Sequence, residues 1–78
     1  NLLDNTFSIY PNPTNSKVNI KSENKFEEVE IYNVLGQKIL SSKISDNQEI
    51  DMSLLTSGTY FLKLKNESLI KNVKIIKQ

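Results

Sequence analysis

Apolar residues recur at every second position along most of the chain, the period of a pleated strand with one covered face and not the 3.6-residue period of a helix. Phe7 and Ile9 alternate with Thr6 and Ser8, Val18 and Ile20 with Lys17, Asn19 and Lys21, and Val29 and Ile31 with Glu28, Glu30 and Tyr32. Ile50 and Met52 alternate with Glu49 and Asp51, and Tyr60, Leu62 and Leu64 with Phe61, Lys63 and Lys65. Two further stretches, Gln37 to Ile44 and Ser68 to Lys77, hold strand-forming residues in a less regular order. Thirteen Ile and Val residues and no Ala favour sheet over helix, because β-branched side chains are stiff at χ1 and pack well on a pleated surface. Seven strands spaced about ten residues apart predict an all-β, seven-stranded antiparallel sandwich.

Both glycines and both prolines fall between these runs. Gly36, in Asn33-Val34-Leu35-Gly36-Gln37, suits the positive φ of a hairpin turn with a bulge. Leu54-Leu55-Thr56-Ser57-Gly58 predicts a tight corner with Gly58 in the left-handed region. Pro11-Asn12-Pro13 reads as an extended, polyproline-like kink where the chain changes sheets, and Asp46-Asn47 as a turn. Residues 1–5 read as the end of a linker, which makes 6–78 the folded domain and the chain a piece of a longer protein.

Composition narrows the chemistry more than it narrows the fold. The 78 residues include no Cys, His, Trp or Arg. The thiolate nucleophile, the imidazole base and the usual zinc ligands are therefore missing. Glu28 and Glu30 share one strand face but read as solubilising charge, with nothing in the sequence to bury them and raise a pKa. Asp46, Asn47, Glu49 and Asp51 offer hard oxygens without the glycine and terminal bidentate Glu of an EF-hand loop. No glycine-rich phosphate loop exists, since the two glycines are far apart. We expect no enzyme, no cofactor and no metal.

The net charge is +1, but the segment from Phe61 to Gln78 holds five Lys and one acid, Glu67. Without Arg this predicts no nucleic-acid partner, and lysines on the solvated face of edge strands are the ordinary reading. The longest apolar run is Tyr60-Phe61-Leu62, far short of the roughly 20 residues of a membrane-spanning helix.

Three blocks carry a family resemblance: Phe7-Ser8-Ile9-Tyr10-Pro11-Asn12-Pro13, Val29-Glu30-Ile31-Tyr32-Asn33-Val34-Leu35-Gly36-Gln37-Lys38, and Ile50 through Leu55-Thr56-Ser57-Gly58-Thr59-Tyr60 to Lys63. In this order, and with the ending Val73-Lys74-Ile75-Ile76-Lys77, they closely resemble the type A C-terminal sorting domain of the type IX (Por) secretion system of Bacteroidota. The resemblance implies an immunoglobulin-like sandwich at the end of exported cargo. It also implies recognition by an outer-membrane translocon and a shuttle protein, and a sortase acting on the upstream linker. The cargo would be periplasmic in transit and then on the cell surface or extracellular. Pro11, Asn12, Pro13, Gly36, Leu55, Gly58 and Tyr60 are the motif positions, mainly structural in role.

For recognition by the translocon we single out Lys71, Lys74, Ile75, Ile76, Lys77 and Gln78. Leu69, Val73 and Ile75 would point to one face of the last strand and Ile70 and Ile76 to the other. Such a strand at a sheet edge is suited to strand addition or insertion in a groove, unless both faces are covered within the domain. On this reading, deleting Lys74 to Gln78 abolishes export and leaves the sandwich folded. A carbohydrate-binding or adhesive sandwich is the alternative. It would need an aromatic platform, and Tyr10, Tyr32 and Phe61 are expected outward on separate strands. A spacer between catalytic domains is a third reading.

Overall fold

A computed structural model of the chain describes residues 7–78, so the linker expected at residues 1–5 lies outside the described residues, as does Thr6. The strands are β1 (Ser8–Tyr10), β2 (Lys17–Lys21), β3 (Glu28–Tyr32), β4 (Lys38–Lys43), β5 (Glu49–Asp51), β6 (Gly58–Lys65) and β7 (Ile70–Lys77), with no helix among the described residues. They form a three-stranded sheet of order β1-β2-β5 and a four-stranded sheet of order β4-β3-β6-β7. Every strand pairing is antiparallel. The seven-stranded sandwich expected from the alternation is the fold of the protein.

The two sheets close on one core. Val18, Ile20, Ile50 and Met52 come from the three-stranded side, Val29, Ile31, Tyr60, Leu62, Leu64 and Ile75 from the other, and Phe26 fills the space from the β2–β3 loop. Gln48 pins that loop. Its side-chain oxygen accepts from the Phe26 amide at 2.8 Å and its side-chain nitrogen donates to the Phe26 carbonyl at 2.9 Å. The Tyr60 hydroxyl donates to the Thr56 carbonyl at 2.8 Å, four residues upstream. A tyrosine at the start of this strand, bonded back to the preceding corner, is a hallmark of immunoglobulin-like sandwiches. Leu55 packs partly against the same core.

The turns follow the glycines. Gly36 takes φ +84° in the β3–β4 hairpin, where Asn33 Oδ1 accepts from the amides of Leu35 and Gln37. Gly58, as expected, takes a positive φ that favours glycine, +154°, at the first residue of β6 opposite Lys77. β4 reads irregularly in sequence for a physical reason. The register shifts at Ile31/Tyr32, which pairs Ile31 with Leu40 and Tyr32 with Lys38 and leaves Ile39 without an opposite residue.

The Pro11-Asn12-Pro13 segment corrects the sequence reading on two counts. Both X-Pro bonds, Tyr10-Pro11 and Asn12-Pro13, are cis, so the segment bends sharply and is no polyproline-like kink. Nor does the chain change sheets there, because β1 and β2 pair with each other in the same sheet. The segment instead reaches across to the edge of the other one.

Candidate functional site

β7 is an edge strand of the four-stranded sheet, as expected of a strand offered to a partner, but half of that edge is already occupied. The Asn12 side chain stands in for a neighbouring strand. Its Nδ2 donates to the Lys74 carbonyl at 2.9 Å and its Oδ1 accepts from the Ile76 amide at 3.0 Å. Thr14 continues the pairing: its amide donates to the Ile76 carbonyl at 2.9 Å and its carbonyl accepts from the Gln78 amide at 2.8 Å, beside a parallel bridge to Lys77. Thr14 is 2% exposed, and its hydroxyl donates to the Lys17 carbonyl at 2.7 Å. A Pro-Asn-Pro-Thr clasp therefore pairs the outward backbone groups of β7 from the Lys74 carbonyl to the Gln78 amide. Sequence reading marked Asn12 as structural and passed over Thr14.

The clasp and the pleat separate the residues singled out for recognition into two groups. Ile75 is fully buried in the core, and Lys77 is 8% exposed under Thr14, with its Nζ 3.3 Å from the Gln78 carbonyl. Neither side chain is on offer while the domain is folded, so Lys77 is not the solvated lysine expected of an edge strand. Lys74, Ile76 and Gln78 are exposed, and Lys71 holds its ammonium 5.2 Å from the centre of the Phe7 ring. Ile70 and Ile76 do share the outward face, opposite Val73 and Ile75. Deleting Lys74 to Gln78 would remove Ile75 from the core and the clasp's partners with it, so the sandwich would not survive intact as the sequence reading supposed.

The outward face of β7 is one column of a larger surface. Register places Tyr32, Phe61 and Lys74 in one row across β3, β6 and β7, and Glu30, Lys63 and Asn72 in the next. Tyr32 and Phe61 lie on separate strands, as expected, yet they are directly opposite one another, an adjacency that no single run of sequence reveals. Phe61 is 43% exposed and Ile76 40%. The Lys63 ammonium sits 5.8 Å from the centre of the Tyr32 ring. Lys38 and Lys43 from β4, with Lys65 from β6, share this side through their pairings with Tyr32 and Glu28. Five of the ten lysines and two of the nine acids thus face outward from one sheet, an excess of three positive charges, while the rest of the chain carries a net −2.

Glu30 organises the centre of that face. Its carboxylate accepts from the Tyr32 hydroxyl at 2.9 Å, from Lys65 Nζ at 3.1 Å and from Lys38 Nζ at 3.4 Å. The Tyr32 hydrogen bond first, and the lysines after it, hold its pKa down at about 2. Their own hydrogen bonds to Glu30 raise the Tyr32 phenol and Lys65 above their ordinary values. Glu28 meets Lys65 at 3.8 Å. This carboxylate pair is therefore tied into an ion-pair network on a sheet surface. Of the oxygens weighed for calcium, Asp51 accepts from the Ser53 amide at 2.8 Å in a turn and Glu49 meets Lys17 at 3.7 Å.

Fold and surface together define a small immunoglobulin-like β-sandwich, with a clasped C-terminal strand and a basic, partly aromatic sheet face beside it. The family model for the secretion system C-terminal sorting domain matches residues 8–78, and the chain belongs to that family. It is a C-terminal secretion sorting signal, of a family of signals and not of enzymes. Comparison with curated proteins finds none that matches the chain. No helix among the described residues is long and apolar enough to cross a membrane.

Proposed function

We propose that residues 6–78 are the address label that takes an attached cargo across the outer membrane by the type IX route, and that residues 1–5 end the linker to that cargo. An outer-membrane translocon and a shuttle protein read the folded domain, with Lys71, Lys74, Ile76 and Gln78 of the last strand and its tail in contact. A sortase acts on the linker at or before Asn1 to Asn5, and the cargo, periplasmic in transit, ends attached to the surface or released. The match to the sorting-domain family over residues 8–78 carries this reading.

The test is a fusion of the 78 residues to the C-terminus of a periplasm-directed fluorescent protein, followed in a Bacteroidota host with and without a working type IX translocon. Translocon-dependent fluorescence outside the cell is expected. A folded fusion retained in the periplasm of the competent host refutes the route. In that event the opposed rings of Tyr32 and Phe61 favour the adhesive or carbohydrate-binding reading, which glycan-array binding then tests.

A further inference from the structure

We propose that the outer face of the four-stranded sheet docks on an acidic protein surface, with Phe61 and Ile76 as its apolar contact and Lys63 and Lys74 as its charged contact. The inference rests on the sorting-signal reading and names the partner chemistry of that site. Phe61 lies opposite Lys74, and Ile76 is two positions further along β7 on the same face. Diagonal neighbours of this kind are within reach of an aromatic ring, so an exposed apolar centre is flanked by two ammonium groups. That is the anatomy of a protein contact, in which a few aromatic or aliphatic anchors do the work inside a charged rim.

Charge complementarity selects the occupant. The face carries three excess positive charges, whereas on the outward side of the other sheet Lys17 and Lys21 balance Glu49 and Asp51, so an acidic partner is drawn to this side in preference to the opposite one, which favours one orientation at encounter. A lipid surface fits less well, because Glu28 and Glu30 are built into the same face and would meet anionic headgroups. A mosaic of both signs around an apolar centre is a pattern another protein can match.

The experiment uses the fluorescent fusion in the type IX host. Lys63→Glu combined with Lys74→Glu, and separately Phe61→Ser combined with Ile76→Ser, are compared with Lys21→Glu on the outer side of the other sheet. Each domain is also purified alone and melted. At least a tenfold loss of the exported fraction is expected for both face variants and none for Lys21→Glu, with the charge-reversed domain melting within a few degrees of the parent. Export of the charge-reversed fusion at the parent level overturns the docking face and leaves the sorting function standing. Retention of the parent fusion itself overturns the sorting reading, and the proposal with it. Lysine-dependent cosedimentation of the purified domain with phosphatidylethanolamine–phosphatidylglycerol vesicles, or a dimer in sedimentation velocity that the face variants dissolve, would put a membrane or a second copy on this face and overturn the protein partner.

Discussion

Replacing Asn12 by Ala should destabilise the domain by about 1–2 kcal/mol, although Asn12 is exposed and buries no apolar surface. The side chain makes two hydrogen bonds to the β7 backbone, at 2.9 Å to the Lys74 carbonyl and 3.0 Å from the Ile76 amide. A typical intramolecular bond contributes about 0.5–1.5 kcal/mol net. Because both backbone groups can turn to water when the side chain is cut back, the pair is taken in the lower half of its summed range. For a domain of this size that is a fall in melting temperature of roughly 5–15 °C. Asn12→Asp sharpens the test, since it keeps the acceptor for Ile76 but sets a carboxylate oxygen against the Lys74 carbonyl. Near neutral pH the Asp variant should melt below the Ala variant, and the gap between them should close as acid protonates the new carboxyl and restores a donor. The assay is thermal denaturation followed by circular dichroism. An Asn12→Ala domain melting within about 2 °C of the parent would show that water replaces the clasp at no cost, and the clasp would then be a contact without a stabilising role.

Tyr60→Phe should cost about 1–2 kcal/mol by urea denaturation, because the 2.8 Å bond to the Thr56 carbonyl holds the corner before β6 and the rest of the ring stays in the core. Gly36→Ala should cost about 1–2 kcal/mol through the backbone alone, since φ is +84° and an added Cβ meets nothing within 4 Å; unchanged stability would mean the turn relaxes freely. For Glu30, whose folded pKa of about 2 lies below the unfolded value, stabilisation is present above pH 5 or so and is lost as pH falls toward about 2. Glu30→Gln should flatten the acid limb of the stability curve in that window, and an unaltered limb would place the acid sensitivity elsewhere.

The strands were legible wherever one face is covered by the partner sheet. Val18, Ile20, Val29, Ile31, Leu62 and Leu64 keep strict period two because a shift by one residue would turn the set to water. Legibility failed where pairing is offset or completed by side chains. Ile39 and Leu40 stand adjacent because of the register shift at Ile31/Tyr32, and β4 at the sheet edge has no residue buried deeply enough to print a pattern. Asn12 and Thr14 complete the edge of a strand 62 residues away, a partnership that local pattern cannot encode. The site was half legible for a similar reason. The lysines of the last strand were plain, but their neighbours Tyr32, Phe61 and Lys63 join them only through the pairings of β3, β6 and β7. Glu28 and Glu30 opposite Lys65 and Lys63 gave a hint of that register, visible once the two strands are placed side by side.

The pleat lets one strand serve the fold and the recognition surface without conflict between them. In β6, Tyr60, Leu62 and Leu64 are in the core while Phe61 is 43% exposed between them, and in β7 Ile75 is buried while Ile76 beside it is 40% exposed. Two isoleucines adjacent in sequence therefore answer to different demands, one to packing and the other to whatever lies against the sheet. Ile75→Ala removes a fully buried side chain and should cost about 2–5 kcal/mol, so any loss of export passes through loss of the fold. Ile76→Ser changes a half-exposed position and should leave the melting temperature close to that of the parent. If export is lost in step with melting temperature at both positions, the secretion apparatus senses only that the domain is folded. If export falls at Ile76 with the fold intact, the face itself is read, and the same parity should divide Phe61 from Leu62 on the neighbouring strand.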